Sequence, residues 1–157
     1  MAGDDKADQA YRRKLGDGLV LRWSSADDVD RLAALYGEVF RDRAEDPPNE
    51  HVQIWTRDLM SGRHPLITPD DFAVVEDTAT GEIVTGTCLL SQVWDVEGVA
   101  IPTGRPEVVA TRAAYRRRGL VRAVFELIHA RSETRGDLAE GITGIPYYYR
   151  QFGYEYA

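Results

Sequence analysis

The amino-acid sequence predicts a mixed α/β fold, in which helices flank a mostly antiparallel sheet. Apolar residues recur at helical spacing in three segments that are separated by polar breaks. Apolar and β-branched runs at 72–77 and 82–94 lie on either side of a turn, as in a hairpin. A strand–helix–strand unit spans 107–145, and we expect its two strands to be parallel with a right-handed crossover.

The N-terminal half is expected to contain one strand and two helices. Residues 19–23 form an apolar strand, and Ser25 then starts a helix with Asp28 three positions later, a weaker form of the capping box. A polar break with two prolines follows. The second helix is expected at 50–60 and ends before Gly62, where a left-handed residue is tolerated.

The C-terminal half is expected to combine turns, strands and one long helix. We predict a second turn region at 99–106 and a strand at 107–113. The long helix starts at Gly119, and a short strand follows at 139–145. Pro146 then starts a short helix, since proline suits the first helical position.

Residues 154–157 resemble the start of one more strand. A domain rarely ends on an unpaired apolar strand. We therefore expect the sheet to lack its final strands, which a downstream domain or a second copy of the chain would supply. A short native tail is the alternative.

Length and charge narrow the classes of protein that the chain can belong to. Its 157 residues suggest one domain, at 19–157, after a loose polar leader at 1–18. The net charge of −7 argues against nucleic acid or an anionic membrane as partner. The single cysteine, Cys88, fits a reducing compartment, so we expect a cytoplasmic protein. The histidines lack metal-ligand spacing, and no metal site is expected; they are His51, His64 and His129.

A cluster of five arginines and no acid, between Arg112 and Arg122, is a local exception to the acidic composition. It precedes the helix that Gly119 opens. The first N–H groups of a helix lack intrahelical partners, and the helix dipole adds positive charge there, so this turn suits a phosphate group. A solvated surface turn and a nucleic-acid patch are the two alternatives.

Two motifs resemble those of the GCN5-related N-acetyltransferases (GNAT). Arg116-x-x-Gly119-x-Val121 resembles the family's R/Q-x-x-G-x-G/A signature, and YYYRQFGY at 147–154 resembles its Y-x-x-x-G-F/Y stretch. The resemblance covers 19–157 and is closest to the Eis-like (enhanced intracellular survival) branch. Val121 is larger than the usual third residue, Thr111 stands where many members have valine, and the Eis-like proteins are much longer.

The resemblance implies a GNAT fold, with a central pair of parallel strands splayed to admit acyl-CoA. The implied cofactor is acetyl-CoA. Its pantetheine arm would pair with the main chain of Val109, Ala110 and Thr111. Its pyrophosphate would bind at the helix start, through Arg116, Arg117, Arg118, Gly119, Leu120, Val121 and Arg122.

The resemblance also implies direct acetyl transfer to a primary amine of a small molecule or peptide. Tyr149 lies four residues before Gly153 and corresponds to the family's general-acid tyrosine, with Tyr147 and Tyr148 as register competitors. Glu107 shares a strand face with Val109 and is a candidate base; a solvated glutamate at a strand end is the alternative. Cys88 is expected in the core, because direct transfer needs no acyl-enzyme.

The segments 41–66 and 92–105 are expected to bind the acceptor amine. They hold six acidic residues that would attract polyamines, aminoglycosides or lysine-rich peptides. Trp55 and Trp94 would either wall this pocket or fill the core. A non-catalytic acyl-CoA-binding or regulatory module is the rival function. The acidic residues are Asp42, Glu45, Asp46, Glu50, Asp95 and Glu97.

Overall fold

Six strands pair in chain order into one sheet in the computed structural model, which describes residues 11–156. The first five strands pair antiparallel, each with the next in the chain, and the sixth strand is parallel to the fifth. The predicted mixed, mostly antiparallel sheet is confirmed. The strands are β1 (Arg12–Gly16), β2 (Leu19–Trp23), β3 (Phe72–Asp77), β4 (Glu82–Val96), β5 (Val99–Thr111) and β6 (Ala139–Glu140).

The helices lie close to their predicted positions. A 3-10 turn at Ala26–Asp28 leads into α1, and further 3-10 turns occur at Ala113–Tyr115 and Tyr148–Phe152. Asn49 caps the second helix, since its side chain accepts a hydrogen bond from the N–H of Val52 at 3.2 Å. The helices are α1 (Val29–Val39), α2 (Glu50–Leu59) and α3 (Leu120–Arg135).

Apolar side chains pack on both faces of the sheet. On one face, Leu21 packs in a cluster with Phe125 of α3. On the other face, Leu35 of α1 packs in a cluster with Phe72 and with Cys88, the expected core cysteine. The sheet is therefore the middle of three layers, and the first half of α3, from Leu120 to Ile128, packs against it.

The prediction of a loose leader at 1–18 is wrong for residues 12–16, which form a strand. Arg12–Gly16 pairs with β2 as an edge strand, with Arg13 opposite Leu21. Its side chains alternate between exposed and half-buried, and charged residues are typical of sheet edges, so its sequence carries little apolar signal. The rest of the predicted leader, residues 1–10, lies outside the described residues.

Two further predictions for the chain path are wrong. The turn expected at 99–106 is extended, because the two-residue turn Glu97–Gly98, with φ values of 54° and 82°, already reverses the chain. Residues 154–156 form no strand in the described chain. The Oη of Tyr156 instead accepts a hydrogen bond from the N–H of Tyr147 at 2.7 Å.

A buried ion pair ties β2 to the start of α1. Asp28 is fully buried and accepts bonds from Arg22 at 2.7 and 2.9 Å and from the N–H of Ser25 at 2.9 Å. Burial alone would raise the pKa of Asp28, but its bonds to Arg22 and Ser25 outweigh this and lower the pKa. The ionised carboxylate is therefore part of the folded structure.

Replacing Asp28 with asparagine should destabilise the fold by about 1–3 kcal/mol, because the buried Arg22 would lose its bidentate charge partner and keep only Glu76, at 2.7 Å. Urea unfolding measures the loss. Since the pKa of Asp28 is lower in the folded chain, its contribution is present above the unfolded value of about 3.9 and disappears as the pH falls below it.

The control is Asp30→Asn, in the same helix, where the side chain is 83% exposed and pairs with Arg57 at 3.0 Å. Its stability should not change measurably. Equal effects of the two substitutions at neutral pH would contradict the structural role of Asp28.

Candidate functional site

The sheet opens where β5 and β6 separate. The two parallel strands pair only at Thr103–Ala139 and Gly104–Glu140, followed by a bond from the N–H of Gly141 to the carbonyl of Gly104 at 3.0 Å. Within the described residues, the edge of β5 from 105 to 111 that faces away from β4 has no strand partner. The predicted strand at 139–145 is thus only two residues long, and a cleft lies beyond it.

A β-bulge shapes this open edge. Val108 has a φ of 50°, and the register between β4 and β5 shifts opposite it. The hydroxyl of Thr87 donates to the carbonyl of Glu107 at 2.9 Å beside the bulge. Left-handed backbone in a β-branched residue is strained by about 1–3 kcal/mol and is found most often at functional sites. The strain here lies at the wall of the cleft.

The cleft contains a cavity of about 670 Å³, the main cavity. Every predicted cofactor-binding residue except Arg118 lines it. Phe40 and Ile145 also line it, and the sequence did not single them out: Phe40 follows the apolar helical pattern of α1, yet it is 38% exposed. The predicted residues that line the main cavity are Val109, Ala110, Thr111, Arg116, Arg117, Gly119, Leu120, Val121 and Arg122.

The start of α3 faces the main cavity with an open backbone. Gly119 is the N-cap with a φ of 72°, and Arg117 also has a positive φ of 61°. A Cβ built on Gly119 would meet no atom of another part of the described chain within 4 Å, so this space is open in the described residues. The first N–H groups of the helix lack intrahelical acceptors and carry the positive end of the dipole. An anionic group fits here.

The arginines of the cluster have different partners. Arg118 pairs with Asp17 at 3.0 Å, and Arg112 bonds Glu38 on the other side of the turn. Arg122 lies over the ring of Phe152, 5.3 Å from its centroid, within the lining of the main cavity. Positive charge at the cavity therefore comes from part of the cluster only.

Tyr149 lines both the main cavity and a second cavity of about 290 Å³, the smaller cavity. Its ring packs 5.9 Å from that of Phe125, and a Cβ at Gly144 would lie 3.1 Å from it. Burial, with smaller contributions from Tyr148 and Glu107, raises the pKa of Tyr149 above that of an ordinary phenol. The hydroxyl therefore stays protonated at neutral pH and can donate its proton.

The register competitors are placed differently. Tyr148 lines the main cavity but not the smaller one, and burial raises its pKa. Tyr147 is 69% exposed and lines neither of the two. Of the three tyrosines, only Tyr149 lies at the junction of both cavities.

Glu107 lines the smaller cavity together with Tyr149. Its carboxylate accepts a bond from Arg105 at 2.7 Å, and its side chain is 21% exposed. The structure thus brings the two candidate catalytic residues to one cavity. Glu107 is a half-buried, ion-paired carboxylate.

Cys88 pairs with Glu107 across β4 and β5, but its thiol is not suited to act as a nucleophile. Its side chain is fully buried, and burial raises the pKa of the thiol, so a thiolate nucleophile is disfavoured. Across residues 11–156, no group of three or more histidine, cysteine, aspartate or glutamate side chains could hold a metal ion. In the same range, no helix is long and apolar enough to cross a membrane.

The predicted acceptor pocket forms only in part. Trp55 lines the smaller cavity, whereas Trp94 packs against Gly141. None of the six acidic residues expected to attract the acceptor lines either cavity. These acids were expected at the pocket because they lie within the segments 41–66 and 92–105. Their position in the sequence did not indicate where their side chains lie.

Comparisons with known proteins agree with this geometry. A family model described as an acetyltransferase (GNAT) domain matches residues 21–157. A search of curated proteins finds no match to the sequence.

Solved structures with similar folds include three acetyltransferases. One from Trypanosoma brucei has a TM-score of 0.65 at 21% identity, over 88% of this chain and 94% of its own. Glucosamine-6-phosphate N-acetyltransferase from Arabidopsis thaliana has a TM-score of 0.64 at 15% identity, over 88% and 92%. An aminoglycoside N-acetyltransferase in complex with CoA has 0.64 at 13%, over 90% of each chain. At these identities the likeness shows a shared fold.

Proposed function

The chain belongs to the acetyltransferase (GNAT) domain family, and on that premise we propose that it moves an acetyl group from acetyl-CoA directly to a primary amine. One observation carries the proposal. A single cleft contains an open helix N-terminus at Gly119, an unpaired strand edge on β5 and the protonated phenol of Tyr149. These three features match the three parts of the chemistry: a phosphate, an extended amide chain and a leaving thiolate.

The cofactor is proposed to lie along the main cavity. Its pyrophosphate would accept bonds from the free N–H groups at the start of α3, with Arg116, Arg117 and Arg122 adding charge. The open edge of β5 at Val109–Thr111 would pair with the pantetheine amides, as an added strand pairs with a sheet edge. Arg118 is held by Asp17 and has an indirect part.

The transfer needs two proton movements. The neutral amine attacks the thioester carbonyl carbon, a C–N bond forms, and the carbonyl electrons move to oxygen. When the tetrahedral intermediate collapses, the C–S bond breaks and the leaving thiolate takes the proton of the Tyr149 hydroxyl. Glu107 is the proposed acceptor of the proton that the amine nitrogen loses, directly or through a water.

We also infer a place within the family. The RRRGL stretch at 116–120 and Y-x-x-FGY at 149–154 favour the Eis-like branch. We also place the chain in the cytoplasm, because its single cysteine is free and a free cysteine is typical of a reducing compartment.

The proposal is tested by calorimetric titration with CoA, together with a free-thiol assay using acetyl-CoA and a panel of primary amines. Binding and amine-dependent thiol release are expected. Binding with no release on any amine would favour the rival module that keeps the site without turnover. The absence of both would overturn the proposal.

Tyr149→Phe should lower kcat about a hundredfold or more, because the thiolate loses its proton donor. The phenyl ring keeps its packing against Phe125, so the affinity for CoA should not change. The initial rate of thiol release gives kcat, and calorimetry measures the affinity for CoA. Tyr147→Phe is the matched control, since that exposed residue lines neither cavity. A greater loss in Tyr148→Phe than in Tyr149→Phe would reassign the acid.

Gly119→Val should weaken CoA binding about tenfold or more, a change of about 1.4 kcal/mol. A β-branched residue resists the φ of 72°, and its side chain would enter the space where the pyrophosphate is proposed to bind. Calorimetry measures the affinity, and thermal unfolding confirms that the variant is folded.

Arg118→Ala is the control from the same turn and should change the affinity little, because Arg118 points to Asp17. A greater loss in Arg117→Ala or Arg118→Ala than in Gly119→Val would show that side-chain charge, and not the helix end, holds the cofactor.

A further inference from the structure

We propose that the acceptor is a primary amine carried on an apolar or aromatic body, which the smaller cavity holds beside Tyr149. This inference rests on the proposed function and names its substrate class. It differs from the polyamine, aminoglycoside or peptide acceptors that the acidic loops suggested. Its basis is the chemistry of the cavity wall.

The wall of the smaller cavity is mostly apolar. Val52 and Trp55 of α2 lie on it, with Phe40 from the end of α1 and Ile142 and Ile145 from the segment after β6. Trp55 and Phe40 are 41% and 38% exposed, and both line the smaller cavity. Large exposed aromatic residues at the mouth of a cavity are typical of binding sites for apolar groups.

The charge of this wall is sparse and already compensated. Among the residues of 11–156 that line the smaller cavity, Glu107 is the one charged residue, and Arg105 bonds its carboxylate at 2.7 Å. A second ammonium group of a polyamine would find no carboxylate there. Each sugar hydroxyl buried without a partner would lose its hydrogen bonds to water and weaken binding.

The size of the smaller cavity agrees with a compact acceptor. Its volume is about 290 Å³. This is less than half the volume of the main cavity, which is about 670 Å³. A phenylethylamine fits this volume, whereas a multi-ring aminoglycoside would extend far beyond the apolar wall.

An apolar wall also favours the reactive state of the amine. Transfer requires a nitrogen lone pair, and a low-polarity environment disfavours the ammonium form. Glu107 and Tyr149 line the same cavity, so the nitrogen would sit within reach of both proton-transfer groups. The cavity would thus select the body of the amine and deprotonate its nitrogen at one place.

The test compares amines of similar size that differ in polarity. With acetyl-CoA saturating, thiol release gives kcat/KM for 2-phenylethylamine, 1,4-diaminobutane and glucosamine. We expect kcat/KM for phenylethylamine to exceed each of the others by about tenfold or more, the range that a few buried contacts discriminate. A kcat/KM for diaminobutane or glucosamine that equals or exceeds it would overturn the inference, while the thiol release itself would keep the proposed function.

Substitutions in α2 test whether the preference for an apolar amine arises at the smaller cavity. Trp55→Ala should lower kcat/KM for phenylethylamine about tenfold and leave CoA affinity unchanged, because Trp55 does not line the main cavity. Trp55→Phe should recover most of the loss. Ile54→Ala is the control, since the adjacent Ile54 is 65% exposed and lines neither cavity. Equal effects of Trp55→Ala on phenylethylamine and diaminobutane would contradict an apolar subsite.

A binding measurement separates this inference from the proposed function. Phenylethylamine is titrated calorimetrically into the CoA-loaded protein. Binding that Trp55→Ala weakens supports the apolar subsite even if no thiol is released, in which case only the proposed turnover fails. No phenylethylamine binding to a protein that does bind CoA would overturn the subsite.

Discussion

The structure depends on a constraint in the sheet: β5 and β6 pair at only two positions and then separate. A polar strand edge inside a protein needs hydrogen-bond partners. The bulge at Val108 and the open edge beyond it therefore leave main-chain groups directed at a cleft that the rest of the fold surrounds. On either side of the sheet, α3 packs on one face and α1 and α2 pack on the other.

The cleft has two chemically different ends. At the main cavity, the start of α3 offers N–H groups and arginine side chains, which suit a phosphate. At the smaller cavity, the wall is aromatic and aliphatic with one compensated carboxylate. Tyr149 lies at the junction, protonated and half-buried. The acyl group would be transferred there, between a strongly charged donor and an acceptor that must be uncharged at the reacting nitrogen.

Local patterns in the sequence were sufficient for the helices and the hairpin. The spacing of Arg116 and Gly119 before an apolar helix predicts the start of the helix and is compatible with a phosphate site, whereas the residues that line the main cavity were assigned through the resemblance to the GNAT family. Arg118 was assigned to the site with its neighbours, but its partner, Asp17, is 101 residues away in the chain, and no local pattern reports that contact. The six acidic loop residues were expected at the acceptor pocket, but none lines either cavity, and no local pattern reports where their side chains lie.

The edges of the sheet were also hard to predict, for a different reason. Strand β1 is polar and alternately exposed, and β5 contains glycine and prolines that are typical of turns. These segments have a low intrinsic propensity for β structure, and pairing with neighbouring strands stabilises them in the sheet. The length of β6 depends on where its partner bends away, which is a property of the assembled sheet.

The most direct measurement of the central claim is a crystal structure of the protein with CoA bound. We expect the pyrophosphate within hydrogen-bonding distance of the N–H groups of residues 119–122, the pantetheine amides on the open edge of Val109–Thr111, and the sulfur beside the Tyr149 hydroxyl. A CoA molecule held outside the gap between β5 and β6, or with its sulfur remote from Tyr149, would contradict the claim.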